Sequence, residues 1–388
     1  MKTLEMKRML TGQFGEAYPP YLDGVGQVML AYCKYLPQLG HRTIYVAPQN
    51  KNAAGDPGCE IMLYRSLPLA RFAYRFGFPL LEKSFRQALY AVPFDVVHAH
   101  APFLAGLAAR SVARKKHIPL VATFHSKYYD DVLKGTRSKL LARLVVRYVL
   151  AFYHSCDEVW TVNESTAKVL RDYGYRGEIV VMPNGSDMVN ASDIPDALPD
   201  GLTLRDGVPL LLFVGQQDLK KNPHLALQAC AILKQRGVPF QFVLAGDGPD
   251  RHHLEAMTKE LGIAEDVVFA GRVTDRKKLM ALYRRSRLFV FPSLYDNAPM
   301  VVREAAMMET PSLVIEGSCA AEGIRHGENG FICQCSPESI AEGIMDALPR
   351  CEAAGAQARK TIPIPWENVA KMVEARYRAL IEKKKQVK

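Results

Sequence analysis

Short apolar runs alternate with longer stretches of helical period along this chain, the order expected of parallel β-α-β crossover units. KRMLTGQF reads as a first strand, YPPYLDGVGQ as a glycine-rich loop, VMLAYCKYLPQLG as a helix ending at Gly40, and HRTIYVAP as the next strand. Further strands are expected at FDVVHAH (94–100), PLVATFH (119–125), EVWTV (158–162) and EIVVMPNG (178–185), with helices between them. Residues 189–209 are rich in Asp, Pro and Gly and hold no sustained period, so the domain boundary is placed there. A second series of strands then runs through LLLFVG (210–215), QFVLAGDGP (241–249), VVFAG (267–271), LFVFPS (288–293) and PSLVIEG (311–317). The pattern gives an α/β protein with a first domain over 1–190, a linker over 191–208, a second domain over 209–364 and a terminal amphipathic helix over 365–388.

A length of 388 residues accommodates two domains with separate cores, and 48% hydrophobic with 23% charged residues is ordinary globular composition. No run of apolar residues reaches membrane-spanning length, and the start MKTLEMKRMLTG lacks the layout of a signal peptide. A cytoplasmic protein is expected. The eight cysteines are scattered without paired CxxC motifs and read as reduced thiols.

Charge changes this picture. Residues 1–190 carry 24 Lys and Arg against 15 Asp and Glu, whereas the remainder carries 26 against 25. Within 101–150, ten basic residues face only Asp130 and Asp131. One face of the first domain is therefore expected to meet an anionic partner. In SKLLARLVVRYVLAFYH, Lys139, Arg143 and Arg147 recur every four residues as a basic stripe on an otherwise apolar helix. With Arg71, Arg75, Lys83 and Arg86 they point to an anionic membrane surface, a mostly buried helix with a solvated stripe being the plainer reading. No nucleic-acid motif accompanies the charge, and none is expected as a partner.

Candidate chemistry gathers at the carboxyl ends of the expected strands, where open α/β sheets place ligands. Asp296 and Glu304, in PSLYDNAPMVVREAAMMETP, lie at a junction of strand (286–293), turn (295–299) and helix (301–309). First-turn amides such as those near Ala298, Pro299, Met300 and Val301 would offer an anion several donors at the positive end of the helix dipole. Carboxylates there would repel phosphate but suit sugar and ribose hydroxyls. Lys220 and Lys221 precede another helix, either as point charges for a diphosphate or as a solvated helix start. Gly24 and Gly26 permit close backbone approach to a ligand or a tight turn without one. Met29 occupies the position where a dinucleotide fingerprint needs its third glycine. His98 and His100 end one strand and His125 the next, with a hydrogen-bonded core histidine the plainer reading of His98.

Taken together, these motifs resemble the retaining glycosyltransferases of family 4 (group 1), which have a GT-B fold. Their hallmark is Glu, seven residues, then Glu, and here Asp296 stands for the first Glu. Lys221 matches the lysine of their G-R-x4-K-G motif after Gly215, while Gln216 replaces the Arg and Asn222 the second Gly. LAGDGP with Gly246 matches the turn under the nucleotide, and Gly271 to Val273 the loop whose backbone reads the base. PNGSD (183–187), GENGF (327–331) and YPPYLDGVG extend the resemblance over nearly the whole chain.

The resemblance implies two Rossmann-like domains facing each other across a donor and acceptor cleft, and a hexosyl transfer that retains anomeric configuration. The co-substrate would be a nucleoside-diphosphate sugar, with no cofactor and no metal, since no Asp-x-Asp motif is present. The acceptor would be a hydroxyl of a membrane lipid or cell-envelope glycan, which places the protein at the inner face of a membrane. His125 would face acceptor and donor sugar, Asp296 the sugar hydroxyls near C3, and Glu304 the ribose. Lys221, with Gly24, Gly26, Gly215, Gln216, Gly246, Val273 and residues Asn297, Ala298, Pro299, Met300 and Val301, would line the donor. Gln216 and Asp296 keep open a second reading, a catalytically weakened GT-B scaffold or partner subunit.

Overall fold

A computed structural model of the chain describes residues 8–16, 18, 24–50, 58–68, 75–296 and 299–386. They divide into two units, Met1–Gly185 with Trp366–Lys388, and Ser186–Pro365.

The first unit is built on β1 (Leu10–Phe14), β2 (Arg42–Pro48), β3 (Glu60–Tyr64), the two-residue pair β4 (Leu67–Pro68) and β5 (Arg75–Phe76), then β6 (Val96–Ala99), β7 (Leu120–Phe124), β8 (Glu158–Thr161) and β9 (Ile179–Val181). Seven of these form one parallel sheet in the order β3-β2-β1-β6-β7-β8-β9, while β4 and β5 pair antiparallel. Helices cover both faces of such a sheet, so its central strands read as continuous apolar runs. The exceptions include Thr11 and Gln13 on β1, Thr43 on β2, His98 on β6, Thr123 on β7 and Thr161 on β8, all buried and all polar. The terminal helix Trp366–Gln386 belongs to this unit and buries Trp366, Val369, Ala370, Val373, Tyr377 and Leu380, a stripe of helical period.

The second unit carries β10 (Leu210–Val214), β11 (Gln241–Ala245), β12 (Val267–Gly271), β13 (Leu288–Phe291), β14 (Ser312–Ile315) and β15 (Phe331–Cys333). They form a parallel sheet in the order β12-β11-β10-β13-β14-β15. Chain order reverses at β10, which pairs with both β11 and β13, so the loops leaving β10 and β13 diverge at a topological switch point. Residues 189–209 pack within this unit: Val189, Leu198, Leu202 and Leu204 lie on its core, and Arg284 donates to the carbonyls of Ala191 (2.7 Å) and Ile194 (2.8 Å).

β3, β4, β5 and β15 escaped the sequence pattern. β3 is a half-exposed edge strand, while β4 and β5 are two residues long and β15 three, too short to stand out as strands. The glycine-rich loop also ends earlier than expected. Gly24 and Gly26 lie in the first turn of the helix Gly24–Tyr35. Residues 17 and 19–23, which hold the remainder of that loop, lie outside the described residues.

Candidate active site

In the second unit the ends of three strands meet through glycine. Gly246, just past β11, has φ 136°, and a Cβ there would lie 1.9 Å from the carbonyl oxygen of Gly215, just past β10. Its amide donates to Gly271 at 2.7 Å, and Gly215 donates to Ala245 at 3.0 Å. Any side chain at 246 would force these loops apart. Gln216 projects to the surface, whereas Gln217 is fully buried and donates to the Gly246 carbonyl at 3.0 Å.

The loop after β10 then turns through Leu219–Lys221, with the Asp218 carboxylate accepting from the Lys220 amide. Asn222 takes a left-handed conformation (φ 56°), one that Asn tolerates better than most residues, and its amide donates to the Pro292 carbonyl at 3.0 Å. That bond ties the loop after β10 to the loop after β13. Lys221 and Asp296 are thereby brought together: Nζ lies 2.6 Å from Oδ1, while Ser293 Oγ donates to Oδ2 at 2.6 Å. Both members of the pair are largely shielded from solvent, at 17% and 22% exposure.

The helix that follows spans Met300–Met307, with Pro299 at its cap and no side-chain cap. Met300 and Val301 are half-buried, and the first-turn amides point out of the helix. Asn297 and Ala298 lie outside the described residues. Glu304, one turn along, is 8% exposed and does not stand alone. Arg276 donates to Oε1 at 2.9 Å and Tyr283 to Oε2 at 3.4 Å. Burial, with that carboxylate beside it, holds the Tyr283 hydroxyl well above its ordinary range, so it remains a donor. Val273 packs its side chain on the core of the unit.

His125 lies in the first unit, just beyond β7 and 8% exposed, with Nε2 3.3 Å from Nδ1 of His100. His98 is held by Tyr377 and Thr123, each at 2.7 Å. Gly24 is exposed, and a Cβ on it would meet nothing within 4 Å.

Sequence reasoning missed Arg276, Tyr283 and Ser293 in the second unit, and Gln13 and Tyr377 in the first. Arg276 follows the capping residue Asp275 and reads as an ordinary helix start. A polar Gln in the middle of a buried strand was a usable signal.

These loops offer a shielded lysine, an uncapped helix start and a carboxylate held by two donors, an arrangement suited to an anion joined to hydroxyl-bearing rings. Residues 22–189 match the model of "Glycosyltransferase Family 4", and residues 196–361 that of "Glycosyl transferases group 1". The alpha-monoglucosyldiacylglycerol synthase of Streptococcus pneumoniae is 25% identical over 78% of this chain and 70% of its own. A protein of the same name from Acholeplasma laidlawii is 22% identical over 97% and 98%. The crystal structure of Anabaena Alr3699/HepE in complex with UDP and glucose superposes with a TM-score of 0.71 at 16% identity, covering 96% of this chain and all of that one. Two parallel-sheet units, the two family matches and these relatives together place the chain among the family 4, group 1 glycosyltransferases, enzymes of the GT-B fold.

Proposed function

We propose that this glycosyltransferase moves a hexose from a nucleoside-diphosphate sugar to a hydroxyl acceptor with retention of configuration, the acceptor being a membrane lipid. The observation that carries the proposal is the Lys221–Asp296 pair, set in the loops leaving β10 and β13 ahead of the uncapped Met300–Met307 helix. A departing nucleoside diphosphate develops negative charge on its oxygens, and a preorganised lysine with helix amides stabilises it without reorganisation. Lys221 would turn part of its hydrogen bonding from Asp296 to the diphosphate, leaving the carboxylate for sugar hydroxyls. Glu304 would accept from the ribose hydroxyls while Arg276 and Tyr283 hold it in place. Retention follows from attack on the same face that the diphosphate leaves, with the departing phosphate taking the acceptor proton.

No metal is invoked in this reading, and transfer should survive chelation. Among the described residues no three His, Cys, Asp or Glu side chains gather as metal ligands would. The likeness to the two alpha-monoglucosyldiacylglycerol synthases supports a lipid acceptor. So does the helix Lys139–Tyr153. It exposes Leu140 (69%), Leu141, Leu144 (52%) and Tyr148 beside Lys139, Arg143 and Arg147, while Ala142, Val149, Phe152 and Tyr153 are buried. Among the described residues, no helix is long and apolar enough to cross a membrane.

A screen of nucleotide sugars by thermal stabilisation, followed by transfer to diacylglycerol and to soluble glycans with and without chelator, tests the proposal. Stabilisation by one nucleoside diphosphate and transfer to lipid are expected. Transfer only to soluble glycans, or only with added metal, would refute those parts of it.

A further inference from the structure

His125 lies at the end of a buried polar chain that runs through the first unit. Gln13 on β1, His98 on β6, His100 just past it, Thr123 on β7, and Tyr377 on the terminal helix are each 3% exposed or less. Such groups persist in a core only when hydrogen-bonded, and here each partner is identifiable. His100 Nε2 lies 2.9 Å from Gln13 Oε1, and His100 Nδ1 lies 3.3 Å from His125 Nε2. Gln13 Nε2 donates to the Tyr377 hydroxyl at 3.3 Å and to Thr11 Oγ1 at 3.5 Å. Thr11 in turn donates to Thr43 at 3.1 Å, so its oxygen is left to accept, which calls for the nitrogen end of the Gln13 amide.

Donor and acceptor rules then fix the protons. A carbonyl oxygen only accepts, so His100 carries its proton on Nε2. Burial between two other imidazoles keeps His100 neutral, which leaves a lone pair on Nδ1. His125 Nε2 must therefore be the donor to it. From this we infer that Gln13, His100 and Tyr377 are positioning residues that hold His125 in its Nε2–H tautomer, which makes Nδ1 its accepting nitrogen. Tyr377 supports the chain from the other side, by receiving the Gln13 amide and giving its own proton to His98 Nδ1, and His98 Nε2 passes a proton to Thr123. The terminal helix thus helps set the protonation of a residue far from it in sequence. The inference rests on the reading of His125 as a residue that meets the substrates.

Nitrogen NMR of protein labelled in its histidine rings, with His125→Ala used to assign the signal, tests it. The proton is expected on Nε2 of His125 in the unaltered chain. Gln13→Met, which removes the acceptor while keeping an apolar shape, should give a mixture of tautomers. It should also lower kcat by about ten- to a hundred-fold, the range that losing an outer orienting partner costs at metal-bound histidines, with donor KM nearly unchanged. Tyr377→Phe should act in the same direction but more weakly. A proton on Nδ1 of His125 in the unaltered chain overturns the inference. So does a Gln13→Met protein that loses thermal stability yet keeps both tautomer and kcat. If the tautomer is as described but His125→Ala transfers sugar normally, the reading of His125 has failed, and the positioning role falls with it.

Discussion

Lys221 donates to Asp296 across 2.6 Å, joining the loop after β10 to the loop after β13 at the point where the strand order of the second unit reverses. The diphosphate-binding lysine of the proposal is thus already engaged by a carboxylate, and donor binding has to compete with it. Asp296→Asn keeps a partner for Ser293 but releases Lys221. Nucleoside-diphosphate affinity should rise by about five-fold, taking the pair, which keeps some solvent contact, at about 1 kcal/mol. Transfer should fall, because the sugar loses a charged acceptor. Titration calorimetry with nucleoside diphosphate, beside a transfer assay, reads both. Weaker binding in this variant would show that Asp296 supports the diphosphate site and does not compete for it.

Glu304 tests the ribose assignment. Glu304→Ala removes the acceptor shared by Arg276 and Tyr283 and the expected contact to the ribose, a charged hydrogen bond worth about 1.5 to 3 kcal/mol. Donor affinity should drop by a corresponding factor of roughly ten to a hundred. Arg276→Ala should do less damage, since it leaves the carboxylate and the tyrosine in place. Unchanged donor binding in Glu304→Ala would remove the residue from the site.

The strands of both sheets were legible because burial on two faces demands apolar runs, and LLLFV at β10 or LVATF at β7 admits little else. The candidate site was legible only in part. Lys221, Asp296 and Glu304 could be placed at loop-to-helix junctions, but their hydrogen-bond partners could not. Arg276 reaches Glu304 from another helix, and no local pattern records that meeting. Tyr377 is similar: on the sequence it is one more apolar-face residue of an amphipathic helix, and only the fold brings its hydroxyl to His98. Gly24 and Gly26 were misplaced because glycine signals a turn and a helix start alike.

Gln216 is exposed where the family pattern carries Arg, at the end of β10 beside Gly215. Gln216→Arg adds a cation to a loop that already holds Lys221. If the natural residue only reflects a missing charge, donor affinity should rise, and by more at low salt than at high salt. A fall in affinity would mean that Gln216 makes its own contact with the donor.

Stability should depend on pH through Glu16. Its carboxylate accepts from the Ala105 amide at 2.8 Å and from the Tyr64 hydroxyl at 3.2 Å, yet burial outweighs these bonds and raises its pKa above the usual value. The neutral form is therefore favoured by folding. The stability this contributes is fully present below the unfolded-state value, about 4.3, and is lost as pH rises through the raised folded value. Glu16→Gln keeps an acceptor for Ala105 and removes the ionisation. Its melting temperature relative to the unaltered protein should improve between pH 4 and pH 7.5. An equal difference at both pH values would show that the carboxyl does not titrate with folding.

Membrane attachment can be separated into its charged and apolar parts on the helix Lys139–Tyr153. Of the other basic residues expected to contribute, Arg75 and Arg86 donate to the carbonyls of Ser66 and Leu80, only Lys83 is exposed without such a bond, and Arg71 lies outside the described residues. That concentrates the electrostatic part on Lys139, Arg143 and Arg147. Each basic residue near an anionic surface contributes about 1 kcal/mol, so replacing all three with Gln should reduce binding to anionic vesicles by roughly a hundred-fold at low salt. Leu140 and Leu144 stand exposed between them, where insertion would bury apolar area whatever the charge of the lipid. Leu140→Ser with Leu144→Ser should therefore leave a weaker association that high salt abolishes, whereas the triple Gln protein should retain a weaker association that salt hardly affects. Sedimentation with anionic and neutral vesicles at two salt concentrations measures all four combinations. Equal binding of the unaltered protein to both vesicle types would remove the electrostatic part, and binding to neither would sink the membrane claim and turn the acceptor toward a soluble glycan.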